Sequence, residues 1–360
     1  MKKLKILLSG AGGYGKWYLD ALLSSKRDDF ELAGAVDPVE NAGLAQAREA
    51  GIPVYSTIAD FLKEHTADLA ILACPIRFHE EQAIQCMQAG MDVLCEKPIA
   101  ATPEAGERMM AARSGRRLTV GFQWCHDRAM QAMKADIGGR LGKPVCLKSL
   151  ILWPRDLAYY ARGGGWAGKK YGPGGEPIFD SVASNATAHY LMNMLWLCEE
   201  DLTIDLAECR RANAIETFDT VYLEGRAGDC RIVYAASHAV DQSLGPVLDY
   251  RFERGRVRWC GGELIAQMED GSQNSYGVSD PDCVQKMYKL WDLVDSLLGK
   301  SDAPDPCPPE AAMRHARAMS DLRALCPEAE VFPEEITRRD GRAVWVEGLF
   351  GQLKERWEKA

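Results

Sequence analysis

Residues 9–15 read SGAGGYG, and they follow the apolar run Leu4–Leu8. Gly10, Gly12 and Gly15 stand in a G-x-G-x-x-G arrangement, after a strand pattern and at the start of a helical one. The chemistry of such a loop is defined: one glycine for a tight turn, one for close approach of the backbone to a pyrophosphate, one for close helix packing. The helix beyond it begins with unpaired N–H groups that favour an anion. The motif alone also fits a plain glycine turn between strand and helix. Asp37 adds weight, because it closes the next apolar run 22 residues after Gly15, near the spacing at which an acid meets ribose hydroxyls. Its carboxylate repels a 2′-phosphate, and neither Pro38 nor Val39 offers a compensating cation, so the pattern favours NAD over NADP.

Working outward, strand and helix patterns alternate as far as residue 123. Strands are expected at Leu4–Ser9, Glu31–Asp37, Leu69–Ala73, Met91–Glu96 and Leu118–Phe122, with helices at Tyr14–Ser24, Val39–Ala50 and Phe78–Ala89 and another starting at Thr102 and Pro103. That alternation predicts a parallel sheet covered on both faces, a Rossmann dinucleotide-binding domain over 1–123. The grammar then changes. Pro144–Trp153 reads as a long strand, and Thr220–Arg226 with Cys230–Ala235 and Asp249–Phe252 with Val257–Trp259 read as antiparallel hairpins. Helices are expected at Ala186–Leu197 and Val284–Leu298. The fold class is therefore α/β followed by α+β, with 124–360 forming an open-faced, mainly antiparallel β-sheet domain with helices on one face.

Composition limits the partners. The 360 residues hold 43 Lys plus Arg against 52 Asp plus Glu, a net charge of -9. With no basic run, nucleic acid and anionic membranes are not expected partners. No apolar stretch approaches the roughly 20 residues of a membrane span, and the start MKKLKILLSG is too short in its apolar part for a secretion signal, so a cytoplasmic protein is expected. Twelve cysteines without a C-x-x-C, and six histidines without metal-ligand spacing, read as packing residues with no metal site.

The stretch MDVLCEKPIAATPE, Met91–Glu104, runs from an apolar strand directly into Glu96, Lys97 and Pro98. Ligands sit beyond the carboxyl ends of parallel strands, which places Lys97 where a substrate would lie. A surface lysine starting a loop is the plainer reading. The order G-x-G-x-x-G, then ADLAILACPIRFHEEQAIQCMQAGMDVLCEKPIA, then GFQW, then a helix with Asn185 and His189, resembles the glucose-fructose oxidoreductase and myo-inositol dehydrogenase (Gfo/Idh/MocA) family. The resemblance implies an NAD-dependent dehydrogenase acting on CH–OH groups of sugars, cyclitols or sugar-derived acids. It implies that Lys97 lies beside the nicotinamide and hydrogen-bonds the reacting oxygen, with His189 as general acid and base. It places cofactor contacts at Gly10, Gly12, Gly13, Tyr14, Gly15, Asp37, Pro75, His79, Glu96 and Lys97. Substrate contacts fall at Lys97, Gln123, Asn185 and His189.

Two departures stand out. Asn185 occupies a place, one turn before His189, where relatives commonly carry aspartate; Asp180 replaces it only if the intervening segment folds back. Cys125 and His126 stand where relatives often have arginine and an aromatic, and His126 either faces the cleft or links the domains. The loop WPRDLAYYARGGGWAGKKYGPGGEP offers Trp153, Tyr159, Tyr160 and Trp166 for stacking on a sugar, and Arg155, Arg162 or Lys169 for hydroxyl or carboxylate oxygens; such aromatics also simply pack a loop. Gly163–Gly165 would let it close. Val346, Leu349, Phe350, Leu353 and Trp357 recur at helical spacing, and the resemblance implies a homodimer or homotetramer with that helix near the interface. Other readings are an enzyme whose NAD never leaves, serving elimination or glycoside cleavage, and a non-catalytic dinucleotide sensor.

Overall fold

The computed structural model describes residues 3–162, 165–279 and 286–360. The chain divides into two compact units, Met1–His126 with Pro281–Met313 and Asp127–Asp280 with Arg314–Ala360.

In the first unit, β1 (Leu4–Ser9), β2 (Phe30–Val36), β3 (Val54–Tyr55), β4 (Leu69–Leu72), β5 (Asp92–Cys95) and β6 (Leu118–Val120) form an all-parallel sheet in the order β3-β2-β1-β4-β5-β6. Helices α1 (Gly15–Ser24), α2 (Ala42–Glu49), α3 (Ile58–Glu64), α4 (His79–Gln88) and α5 (Pro103–Ala111) complete the crossovers. The strand order reverses between β1 and β4, the switch point at which this topology opens a crevice for ligands. Ile6, Leu7 and Leu8 are fully buried, as a strand covered on both faces requires. Local signals set several boundaries. Thr102 caps α5 with Pro103 in its first turn, as the sequence indicates. Helix α2 begins at Ala42 rather than Val39 because Asn41 accepts from the N–H groups of Gly43 and Leu44.

The helix expected at Val284–Leu298 runs over Tyr288–Leu297, Val284 lying outside the described residues, and it belongs to the first unit. Met287, Leu290, Leu293 and Val294 form its apolar stripe, which is buried in one core with Leu4, Phe30, Leu32, Leu19 and Leu22. The first compact unit is thus discontinuous in sequence.

The second unit is built on a nine-stranded sheet. Its strands are β7 (Pro144–Leu152), β8 (Leu202–Arg211), β9 (Thr220–Ala227), β10 (Cys230–Ser237), β11 (Leu244–Phe252), β12 (Gly255–Cys260), β13 (Glu263–Met268), β14 (Gln273–Val278) and β15 (Glu330–Val331), ordered β14-β13-β12-β11-β7-β10-β9-β8-β15. Pairing is antiparallel except for β7 with β10 and β8 with β15. The two expected hairpins are β9–β10 and β11–β12. Alternate residues of the central strands serve different layers. Leu150, Leu152, Val233 and Ala235 bury against Val346, Leu349, Leu353 and Trp357, with Phe350 at the margin. Ser149 and Tyr234 point the other way, to Tyr190 and Thr187 at the start of the helix Ala188–Cys198. Both faces are therefore covered around β7 and β10, and the carboxyl-terminal stripe is satisfied by its own chain.

Among the described residues no His, Cys, Asp and Glu are grouped to hold a metal ion, and no helix is long and apolar enough to cross a membrane.

Candidate functional site

The glycine loop has the shape its sequence requires. Gly10 adopts φ +86°, and a Cβ there would lie 2.6 Å from the Ala73 backbone. A Cβ on Gly15 would collide with the Gly10 carbonyl oxygen, so α1 can pack this closely only on glycine. Gly13, at φ +51°, has open space where a side chain would project, and a Cβ on Gly12 would meet only the Asn41 side chain, at 3.5 Å. Helix α1 has no side-chain cap and no acid in its first turn, which leaves its positive end free for a phosphate. Asp37 reaches over this loop: Oδ2 accepts from the N–H groups of Ala11 at 3.1 Å and Gly12 at 3.4 Å, and Oδ1 from Val39 at 3.1 Å. The residues fit a bound dinucleotide. Gly15→Ala is expected to abolish NAD binding measured by calorimetry, because the clash is with backbone that cannot rotate away.

Glu96 and Lys97 follow β5 at the carboxyl edge of the same sheet, and the Lys97–Pro98 peptide is cis. Glu96 turns inward. Its Oε1 accepts from Tyr18 Oη at 2.7 Å and from Lys289 Nζ, and its Oε2 accepts from the Lys97 N–H at 3.2 Å. Lys289 is 2% exposed and also donates to Tyr14 Oη at 3.1 Å and the Gly121 carbonyl at 3.3 Å, with the Tyr14 and Tyr18 rings 4.5 and 5.2 Å away. Burial by itself would lower the Lys289 pKa, but Glu96 and Tyr14 outweigh it and the net shift is upward. Tyr14 Oη donates to Gln123 Oε1 at 3.0 Å. One buried network thus joins the glycine loop, the Glu96–Lys97 corner, the segment after β6 and the returning helix.

His79 is buried, with Nδ1 3.0 Å from the Pro98 carbonyl and Nε2 3.0 Å from that of Cys74. Burial pushes its pKa down. The ring ties the corner carrying Lys97 to the exposed Pro75 turn after β4, so both His79 and Glu96 hold loops in place from beneath.

In the second unit, the segment before the His189 helix folds back. Asn185 Nδ2 donates to Asp180 Oδ1 at 2.9 Å, and Asp180 Oδ2 accepts from the Gly168 N–H at 2.7 Å. A five-residue wide turn, Val182–Ala186, capped reciprocally by Ser181 and Ser184, makes this possible. A carboxylate therefore stands beside Asn185 even though the residue itself is an amide. His189 is the second residue of its helix and 8% exposed. The aromatic loop packs both on itself and on neighbouring segments of the second unit. Trp153 Nε1 donates to the Gly245 carbonyl at 3.1 Å, and its ring meets Tyr190 edge-on at 5.6 Å. The Arg162 guanidinium lies 3.4 Å from the Tyr159 ring centroid and 4.8 Å from that of Trp166. Burial, then Asp219, raises the Tyr160 pKa. Gly163 and Gly164 lie outside the described residues. His126 is buried.

Sequence reasoning missed Lys289 and His238. A lysine beside an apolar stripe reads as a solvated flank, and nothing in its neighbours announces a carboxylate partner.

Residues 4–122 match the family model described as oxidoreductase family, NAD-binding Rossmann fold (Gfo/Idh/MocA). Inositol 2-dehydrogenase 2 of Saccharopolyspora erythraea is 36% identical over 124 residues, 33% of this chain and 37% of its own length. The inositol 2-dehydrogenase of Streptomyces avermitilis is 33% identical over 152 residues, 40% of this chain and 43% of its own. The chain thus spans less than half the length of these curated relatives. Among solved structures, the WlbA dehydrogenase of Bordetella pertussis, in complex with NADH and UDP-GlcNAcA, superposes with a TM-score of 0.71 over 90% of this chain and 96% of its own, at 22% identity. An oxidoreductase of Agrobacterium radiobacter in complex with NAD+, L-tartaric acid and magnesium gives 0.73 at 15% identity, covering 90% and 97%. These structures share the fold.

Proposed function

From the premise that this chain carries the NAD-binding Rossmann domain of the Gfo/Idh/MocA oxidoreductase family, we propose that it transfers hydride between nicotinamide and a secondary alcohol. The substrate class is a sugar, cyclitol or sugar-derived acid. The observation that carries the reading is the pairing, within one unit, of an open glycine cradle with a lysine held just beyond the carboxyl end of β5. NAD, when bound, supplies the hydride acceptor. Gly12, Gly13 and the start of α1 hold its phosphates, and Asp37 its ribose hydroxyls. Lys97 donates a hydrogen bond to the reacting oxygen and stabilises the charge that develops there. His189 takes the hydroxyl proton in oxidation and returns it in reduction. Asn185 orients the substrate or His189 while bonded to Asp180, and Gln123, Trp153, Arg155, Tyr160 and Trp166 line the substrate side. The relatives named as inositol 2-dehydrogenases support the CH–OH chemistry.

The deciding experiment is incubation with NAD and a panel of polyols, cyclitols and sugar acids, read at the NADH absorbance. Turnover on a CH–OH substrate is expected; no NADH with any of them, together with NAD that stays bound, overturns net dehydrogenation. The cofactor choice is a separate prediction. NAD binds more tightly than NADP by roughly 10- to 100-fold, the scale of one charge-assisted contact, and Asp37→Ala shrinks that ratio. Titration of both cofactors checks it. A cytoplasmic homo-oligomer completes the proposal. The carboxyl-terminal stripe lends the assembly no support, since it is covered within the chain, and light scattering at micromolar concentration measures the mass directly.

A further inference from the structure

Among the polar atoms of the second unit buried without a hydrogen-bond partner are Arg155 Nε, Tyr160 Oη and His238 Nε2. Folded proteins rarely leave such atoms unpaired, and these three cluster around one ring. The Arg155 guanidinium, the Tyr160 ring and the His238 ring lie 5.1, 5.1 and 5.4 Å from the Tyr159 ring centroid, and Arg162 stacks on the same ring. Arg155 donates to the Pro154 carbonyl, and Arg162 to the Tyr159 carbonyl and to the Tyr159 side chain. Neither has a carboxylate partner among the described residues, in a chain with nine more acidic than basic groups.

His238 defines the other half of the chemistry. It is 2% exposed, and its Nδ1 lies 2.9 Å from the Trp153 carbonyl oxygen. A carbonyl only accepts, so the proton is on Nδ1 and Nε2 presents a lone pair. Burial, with Arg155 and Arg162 nearby, pushes the His238 pKa down to about 3 and keeps the ring neutral. Nε2 therefore accepts from a donor and repels a carboxylate oxygen. A ligand satisfying the whole cluster carries an anionic group for the guanidiniums and, close to it, a hydroxyl that donates to the imidazole.

We infer that Arg155, Arg162, Tyr160 and His238 form a subsite for a hydroxy-carboxylate, so that the substrate is a sugar acid (an aldonate, uronate or related hydroxy acid) rather than a neutral polyol. This rests on the oxidoreductase reading for the word substrate, and the binding site stands without it. Arg155 and Arg162 take the carboxylate, His238 Nε2 the neighbouring hydroxyl proton, and Tyr160 Oη a second oxygen.

The test uses NAD-loaded protein and matched probes: D-gluconate with D-sorbitol, D-glucuronate with D-glucose, and tartrate with threitol. Calorimetry gives affinities and NADH absorbance gives turnover. The acids are expected to bind at least about 10-fold tighter than their neutral partners, as charge-assisted contacts allow. Arg155→Gln and Arg162→Gln each collapse that ratio toward one. His238→Asn, which keeps a donor for the Trp153 carbonyl and removes the Nε2 acceptor, weakens acid binding while the protein melts within a few degrees of the parent; if it unfolds instead, the two arginine variants decide. Neutral probes binding as well as the acids, or acid affinity unchanged in both arginine variants, overturns the subsite. Acid binding without NADH formation sinks the oxidoreductase reading alone, and turnover of neutral polyols with no acid preference sinks only this one.

Discussion

His189→Ala lowers turnover roughly 100- to 10,000-fold, the usual contribution of a general acid or base, while NAD affinity stays within a few-fold of the parent. The split follows from what the residue is asked to do. A proton is in flight only in the transition state, so the interaction is absent from the binary complex that a cofactor titration reads. Lys97→Ala is expected to behave similarly on kcat. Stopped-flow or steady-state NADH formation on the true substrate checks both, with calorimetry for NAD. Near-full turnover in both variants removes the assigned mechanism. Asn185→Asp sharpens the test. Because Asn185 donates to Asp180, the substitution sets two carboxylates against each other, and such a pair resists full ionisation near neutral pH. The pH-rate profile of that variant should then show a group titrating above the ordinary carboxylate range, an effect a purely structural loss would not produce.

Lys289→Met is expected to cost about 3–5 kcal/mol of stability in urea unfolding, the range for removing one partner of a buried ion pair. Glu96 is 8% exposed and would be left as a buried charge with only Tyr18 Oη and the Lys97 N–H to answer it. Glu96→Gln in the same chain should recover a good part of the loss, because it removes the uncompensated charge. A double variant no more stable than Lys289→Met overturns the pair as the origin. The sign of the pH dependence follows from the upward shift of Lys289. Its stabilisation is complete below the ordinary lysine value of 10.5 and is lost as pH rises through the folded value. The parent should therefore lose stability in alkali that the double variant does not. NAD affinity should also fall in Lys289→Met, since Tyr14 and the Lys97 corner lose a common anchor.

Much of this protein was legible along the chain. SGAGGYG needs no distant partner to be read, because φ +86° at Gly10 and the closeness of Gly15 to the Gly10 carbonyl are demands made within six residues. Thr102 and Pro103 likewise state where a helix begins, and the buried run of β1 states that its sheet is covered twice. What only tertiary structure decided is where surfaces with no local address go. The stripe on Tyr288–Leu297 announces that it must be buried, but apolar area has no direction, and nothing in those residues says that the partner is Leu4 and Phe30 rather than the nearer sheet. Lys289 follows from that choice: its carboxylate lies 193 residues away, and burying an ammonium is tolerable only because Glu96, Tyr14 and Gly121 are there together. The same holds for Asp180 and Asn185, which a wide turn brings into contact, and for Arg155, Tyr160 and His238, whose shared neighbour Tyr159 exists as a meeting point only once β10 lies beside β7.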